Sequence, residues 1–230
     1  ILKLTLICVI PVGLMVFDKK ISAAPLLLGA AALIFPFFAD VHFPLLGGKT
    51  VAWVEDAQSC WLLFGALFTL FYMRPGSLEE GSRQFWLWSV VWWLTLFGRG
   101  ISWGRDYFPE GPRMVFRAIS VVLIGTLVLA FFFSPALRRN VAERFRHERL
   151  PLWTMVVVVG TFLISDTVEH HRLLAPLFLH HHAWQDLIEE LYELPFMIGL
   201  FLIAFGMMKH EKTAESGARA LRRADEVPGY

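Results

Sequence analysis

Seven stretches of this chain, at about 1–17, 21–38, 56–73, 84–103, 116–134, 151–170 and 184–208, are apolar and near the length a helix needs to cross a bilayer. Spanning the hydrocarbon core takes about 20 mostly apolar residues. The runs are too long for strands and lack period-two alternation, so helices are expected throughout. Their boundaries carry turn and charge signals: Asp18-Lys19-Lys20, Pro44 to Lys49, Arg74-Pro75-Gly76, Pro109 to Pro112, Ser134-Pro135 and the His-rich link after Pro176. The expected fold is all-α: a polytopic membrane protein with seven transmembrane helices over 1–208, followed by a polar cytoplasmic tail at 209–230.

Composition agrees with this reading. Of 230 residues 56% are hydrophobic and 18% charged, with a mean hydropathy of +0.55, which is too apolar for an ordinary soluble domain of this length. Net charge is +1, and no nucleic-acid partner is indicated. Cys8 and Cys60 both lie in apolar runs, against a disulfide framework or a CxxC metal site. The chain opens on Ile1, so further residues upstream are expected. No small-residue cleavage site follows 1–17, which therefore reads as a retained helix rather than a signal sequence. No internal repeat points to an inverted-repeat transporter.

Orientation follows from Lys and Arg. With the amino terminus outside, the cytoplasmic segments hold Lys19, Lys20, Arg74, Arg83, Arg138, Arg139, Arg144, Arg146, Arg149, Lys209, Lys212, Arg219, Arg222 and Arg223, leaving seven of the 21 basic residues for the other side. The stretch from Arg138 to Arg149 reads as a solvated loop that fixes topology, with contact to anionic headgroups as the alternative. Trp53, Trp103 and Trp184 fall near the outer boundary, as an aromatic belt would.

The same topology gathers six of the eight histidines, His42, His170, His171, His180, His181 and His182, at the outer face with most of the intramembrane acids. Glu55 and Asp56 open the third span, Asp166 and Glu169 close the sixth, and Asp186, Glu189, Glu190 and Glu193 begin the seventh. Carboxylates at membrane depth are costly, and Glu190 and Glu193 lie too deep to be explained by the amino-terminal helix dipole. They require protonation, a cation, water, or pairing with Arg99 or Arg105. Asp166, Glu190, Glu193 and Arg99 are accordingly expected to share an outward-facing cavity. The cytoplasmic halves of the spans are nearly free of ionisable groups, which favours a one-sided pocket over a channel.

The His and acid groups also suit one divalent, zinc-like metal held by a subset of Asp166, His170, His171, His182 and Asp186. A solvated loop is the simpler reading of His180-His181-His182, since three consecutive histidines on a helix cannot all face one ion.

Gly98-Arg99-Gly100-Ile101-Ser102-Trp103-Gly104-Arg105 resembles the GEEISWGQ signature of a set of uncharacterised bacterial multi-span membrane proteins. Glu55-Asp56 and Glu189-Glu190-Leu191-Tyr192-Glu193-Leu194 match two further elements of that pattern, over roughly 50–205. Arg99 and Gly100 stand where the signature has glutamates, and Arg105 where it has glutamine. Arg99, Trp103 and Arg105 of this segment are candidate substrate-binding residues.

A looser resemblance, carried by seven spans with Ser165, Asp166 and His170 near one end, is to the CREST hydrolases, which include alkaline ceramidases. It implies zinc-dependent hydrolysis of a lipid, although the HxxxH expected at the last span is absent. In that scheme Ser165, Glu190 and Glu193 are catalytic candidates, the metal activates water, and Glu190 or Glu193 moves a proton. The alternatives are a non-catalytic accessory subunit or assembly factor, with other membrane subunits as partners, and ion or proton translocation. Membrane lipids are expected partners in a bacterial inner membrane, with the site facing the periplasm.

Overall fold

The computed structural model describes residues 16–225, with side chains through residue 217. It is mostly helical, and four stretches are long and apolar enough to cross a membrane: Ala23–Asp40, Arg113–Phe133, Leu152–Glu169, and His182–Gly217. The chain thus has the several long apolar helices of a multi-pass membrane protein. Two more helices have the length but carry more polar residues: α3 (Lys49–Met73), with Glu55, Asp56, Gln58 and Ser59, and α4 (Glu80–Gly100), with Arg83, Gln84 and Arg99. The stretch expected at 1–17 lies outside the described residues apart from its last two.

Before α3, the 21–38 stretch divides into α1 (Ala23–Ile34) and α2 (Phe37–Asp40), broken at Phe35-Pro36. After α4 come α5 (Arg113–Phe133), α6 (Pro135–His147), α7 (Leu152–Glu169) and α8 (Gln185–Asp225). The fold is all-α as expected, apart from Val16–Asp18 (β1), which pairs in parallel with Arg149–Pro151 (β2) over three residues. The 138–149 stretch, expected as a solvated loop, is instead mainly helix, begun by Ser134, whose Oγ accepts from the Leu137 N–H at 3.1 Å. α8, 41 residues long with Pro195 inside, continues from the last apolar stretch into the polar tail as far as Asp225.

Packing orders the helices around α8. It lies against α3 on one side and α7 on the other, α3 packs on α4, and α1 covers α7 and α8. Small residues set the close approaches. A side chain at Gly65 of α3 would stand 3.0 Å from the Trp93 ring of α4, and one at Gly199 of α8 would run into Val158 of α7. Phe201 joins Leu62, Ala66, Trp93 and Met197 in the central cluster. The outer faces of α5 and α7, with Val121, Val122, Leu129, Val156 and Val159, are exposed, as a lipid-facing surface requires.

α6 is amphipathic: Leu137, Val141 and Arg144 point inward while Arg138, Arg139 and Arg146 are exposed. The buried guanidinium of Arg144 pairs with Glu211 of α8 at 2.8 Å and donates to Asn140 Oδ1 (2.7 Å) and Ser82 Oγ (3.3 Å). It stacks 4.2 Å from the centre of the Phe85 ring, and Trp86 Nε1–H donates to the same Glu211 oxygen at 2.5 Å. Lys212 Nζ reaches the Met73 carbonyl at 3.2 Å, and Trp153 Nε1–H reaches that of Lys19 at 3.1 Å. The basic segments 19–20, 74, 138–149 and 209–212 therefore gather at one end of the bundle. Six of the eight histidines, with Glu55, Asp166, Glu169, Asp186, Glu189, Glu190 and Glu193, gather at the other.

Candidate functional site

At the acidic end, α3, α4, α7 and α8 enclose a cavity of about 270 Å³. Its charged lining is Glu55 from α3, Arg99 from α4, and Glu190 and Glu193 from α8, with Gln58 and Ser59 between them. Leu62, Leu96, Phe162, Phe196 and Met197 close its deep side. Helical spacing explains the two acidic walls. Glu55, Gln58, Ser59 and Leu62 recur at three- and four-residue intervals on one face of α3, and Glu190, Glu193 and Met197 do so on α8. Gln58 ties these walls together, its Nε2–H donating to the Glu190 carbonyl at 2.8 Å.

Arg99 is exposed at the mouth of this space and, among the described residues, makes no hydrogen bond or ion pair within 4 Å. The pocket therefore presents one cation and three carboxylates that the protein brings together without joining them. The expected grouping of Arg99 with Glu190 and Glu193 is observed, and Asp166 has to be removed from it. Asp166 does not line the cavity, because Arg172 from the following loop holds its carboxylate at 2.9 Å.

The remaining candidates are dispersed. Ser165 is buried in α7 away from the cavity lining, and Asp186 is exposed at the start of α8. Arg105 is exposed and bonds the carbonyl of its own turn at Ser102 (3.3 Å). Trp103 sits at a positive φ of 63° that folds its ring over Gly98, where a Cβ would lie 2.8 Å from the ring. This close approach gives Gly98 and Trp103 of the signature segment a packing role. Asp166, Glu169 and His170 bring ligand atoms within 4.8 Å of one another, but Glu169 and His170 are exposed and Arg172 occupies Asp166. His171 and His182 are exposed neighbours, with ring centres 5.4 Å apart.

A separate clasp, unforeseen from the sequence, forms around Asp40. His180 Nδ1 lies 2.8 Å and His181 Nε2 3.9 Å from its carboxylate, while Trp184 Nε1–H donates to the Phe43 carbonyl at 2.9 Å. These contacts tie the loop before α8 to the end of α2. Asp56, beside Glu55 but facing away from the cavity, accepts from the Tyr107 hydroxyl at 2.7 Å. That hydrogen bond pushes the Tyr107 pKa above the ordinary phenol value of 10.0.

Gln58, Ser59 and Phe162 are among the cavity residues that sequence reasoning missed, together with Leu62, Leu96, Gly100, Phe196 and Met197. The signal for the first two was present as the polar continuation of the Glu55 stripe, whereas Phe162 reads as one more lipid-facing residue of α7. No protein family, curated protein or solved structure matches the chain.

Proposed function

We propose that this chain is a multi-pass membrane protein that binds the head of a zwitterionic ligand in the pocket between Arg99 and the carboxylates of Glu55, Glu190 and Glu193. The reading keeps the outward orientation inferred from the basic residues, which puts this pocket on the periplasmic side of a bacterial inner membrane. The observation that carries it is that Arg99 lines the same cavity as three carboxylates while paired with none. Charges held unpaired beside low-dielectric walls attract a ligand of matching charge strongly. A ligand with an ammonium group for the glutamates and a phosphate for the guanidinium satisfies both ends at once, and arginine is suited to phosphate by its forked donors. Binding is favoured over metal-dependent hydrolysis because none of Ser165, Asp166, His170, His171, His182 and Asp186 lines this cavity.

The test is calorimetric titration of the detergent-purified protein with hexylphosphoethanolamine, hexyl phosphate and hexylamine. The zwitterion is expected to bind about tenfold tighter than either singly charged probe, the equivalent of one charge-assisted hydrogen bond. Arg99→Gln should abolish its advantage over hexylamine, and Glu190→Gln with Glu193→Gln its advantage over hexyl phosphate. Hexylamine binding as tightly as the zwitterion, with Arg99→Gln unchanged, would reject the reading.

A further inference from the structure

A second cavity, of about 380 Å³, lies further along the same helices and is almost wholly apolar. Trp88, Trp92 and Trp93 of α4 form one wall, Met155 of α7 the other, and Leu200, Ile203, Ala204 and Met207 of α8 the floor. It ends at α6, against Val141, Arg144 and Phe145. That end is not a free cation, because the Arg144 guanidinium is committed to Glu211, Asn140 and Ser82.

The two cavities are stacked. On α4 the lining passes from Leu96 and Arg99 of the charged pocket to Trp92 and Trp93 of the apolar one, and on α8 from Met197 to Leu200, in each case within one helical turn. Among the described residues α4 and α7, which wall both spaces, are not close neighbours, and α8, half-buried at Glu193, Leu200, Ile203, Ala204 and Met207, forms the floor of the cleft between them. From Glu193 to Met207 this floor is about 21 Å long, well over half of a hydrocarbon core about 30 Å thick. One end carries separated opposite charges and the rest is apolar, which is the polarity profile of a single amphiphile.

We infer that the cleft between α4 and α7 holds one lipid molecule, its zwitterionic phosphoamine head between Arg99 and Glu190/Glu193 and one long alkyl chain lying on α8 between Trp92 and Met155, down to Met207. This rests on the proposed function for the head and adds the chain, its path and therefore the ligand class. The linings of the two cavities follow one another within a helical turn on both α4 and α8, so a single molecule can place its head in one and its chain in the other.

The experiment uses the whole chain in detergent and two probes: hexylphosphoethanolamine, too short to reach Ile203 about 15 Å along α8 from Glu193, and hexadecylphosphoethanolamine carrying a diazirine near the chain end. Photolysis should label peptides containing Trp88 to Trp93 and Leu200 to Met207, and unlabelled hexadecylphosphoethanolamine should suppress that labelling. Ile203→Trp should fill the groove and weaken the long probe about tenfold while changing the short one less than about twofold. Ser89→Phe, on the opposite wall, supplies a second obstruction if the first variant is poorly folded. Labelling of the exposed faces of α5 and α7 instead, around Val121, Leu129 and Val159, with the short probe still bound, would overturn the chain path and leave the head pocket standing. Failure of the short probe to bind would overturn the head pocket and this inference with it.

Discussion

Replacing Glu211 with alanine removes the anion opposite Arg144 at a site where their side chains are only 13% and 9% exposed. Loss of one partner of a buried pair costs about 3–5 kcal/mol, because the other charge is left uncompensated. Arg144 keeps Asn140, Ser82 and the Phe85 ring, which argues for the lower end, while the Trp86 N–H loses its acceptor, which argues against going below it. A loss of about 3 kcal/mol in a chain of this size corresponds to a fall in Tm of about 6–12 °C. Thermal unfolding of the detergent-purified protein, followed by tryptophan fluorescence and circular dichroism, reads it directly. Arg146→Ala, on the exposed face of the same helix, is the control and should stay within about 0.5 kcal/mol. Combining Glu211→Met with Arg144→Met removes both charges and should recover most of the loss. A Glu211→Ala midpoint within about 2 °C of the parent, or a double variant no better than the single one, would refute the argument that α6 and the end of α8 are locked to the bundle by this pair.

Gly65→Ala drives a methyl group to 3.0 Å from the Trp93 ring, which is held by Leu62, Met197 and Phe201, and should cost about 1–3 kcal/mol in the same unfolding assay; Gly125→Ala, with open space around it, should be neutral or stabilise by up to about 1 kcal/mol. Equal effects of the two would contradict the close α3–α4 contact. Because Tyr107 has a raised pKa in the folded state, its contribution to stability is present in full below about pH 10 and is lost as pH rises through the folded value. The difference in tyrosinate absorbance between the parent and Tyr107→Phe should therefore appear above pH 10.0 and move back toward it in Asp56→Asn, and an unmoved difference curve would exclude the Asp56 hydrogen bond as the cause.

The amino-acid sequence by itself determined the helical, membrane-embedded character of this protein and the sorting of its charge to two ends. Apolar run length and the breaks around Arg74-Pro75 and Ser134-Pro135 are properties of contiguous residues, and the helices begin and end close to them. Three of the four charged cavity residues, Arg99, Glu190 and Glu193, were legible as a group because a charge in a long apolar run has few inexpensive environments. Tertiary structure alone decided which polar groups meet. Asp166 offers a carboxylate like Glu190 and Glu193, but it pairs with Arg172, six residues on, and does not line the cavity. The Leu137, Val141, Arg144 face of α6 was hidden in the sequence because its third member is an arginine. A guanidinium becomes an interior residue only when a carboxylate meets it, and Glu211 arrives there from 67 positions away because α8 continues straight past the apolar span. The open cleft between α4 and α7 likewise depends on which helices fail to touch, a property of side-by-side order that hydrophobic periodicity along one helix does not encode.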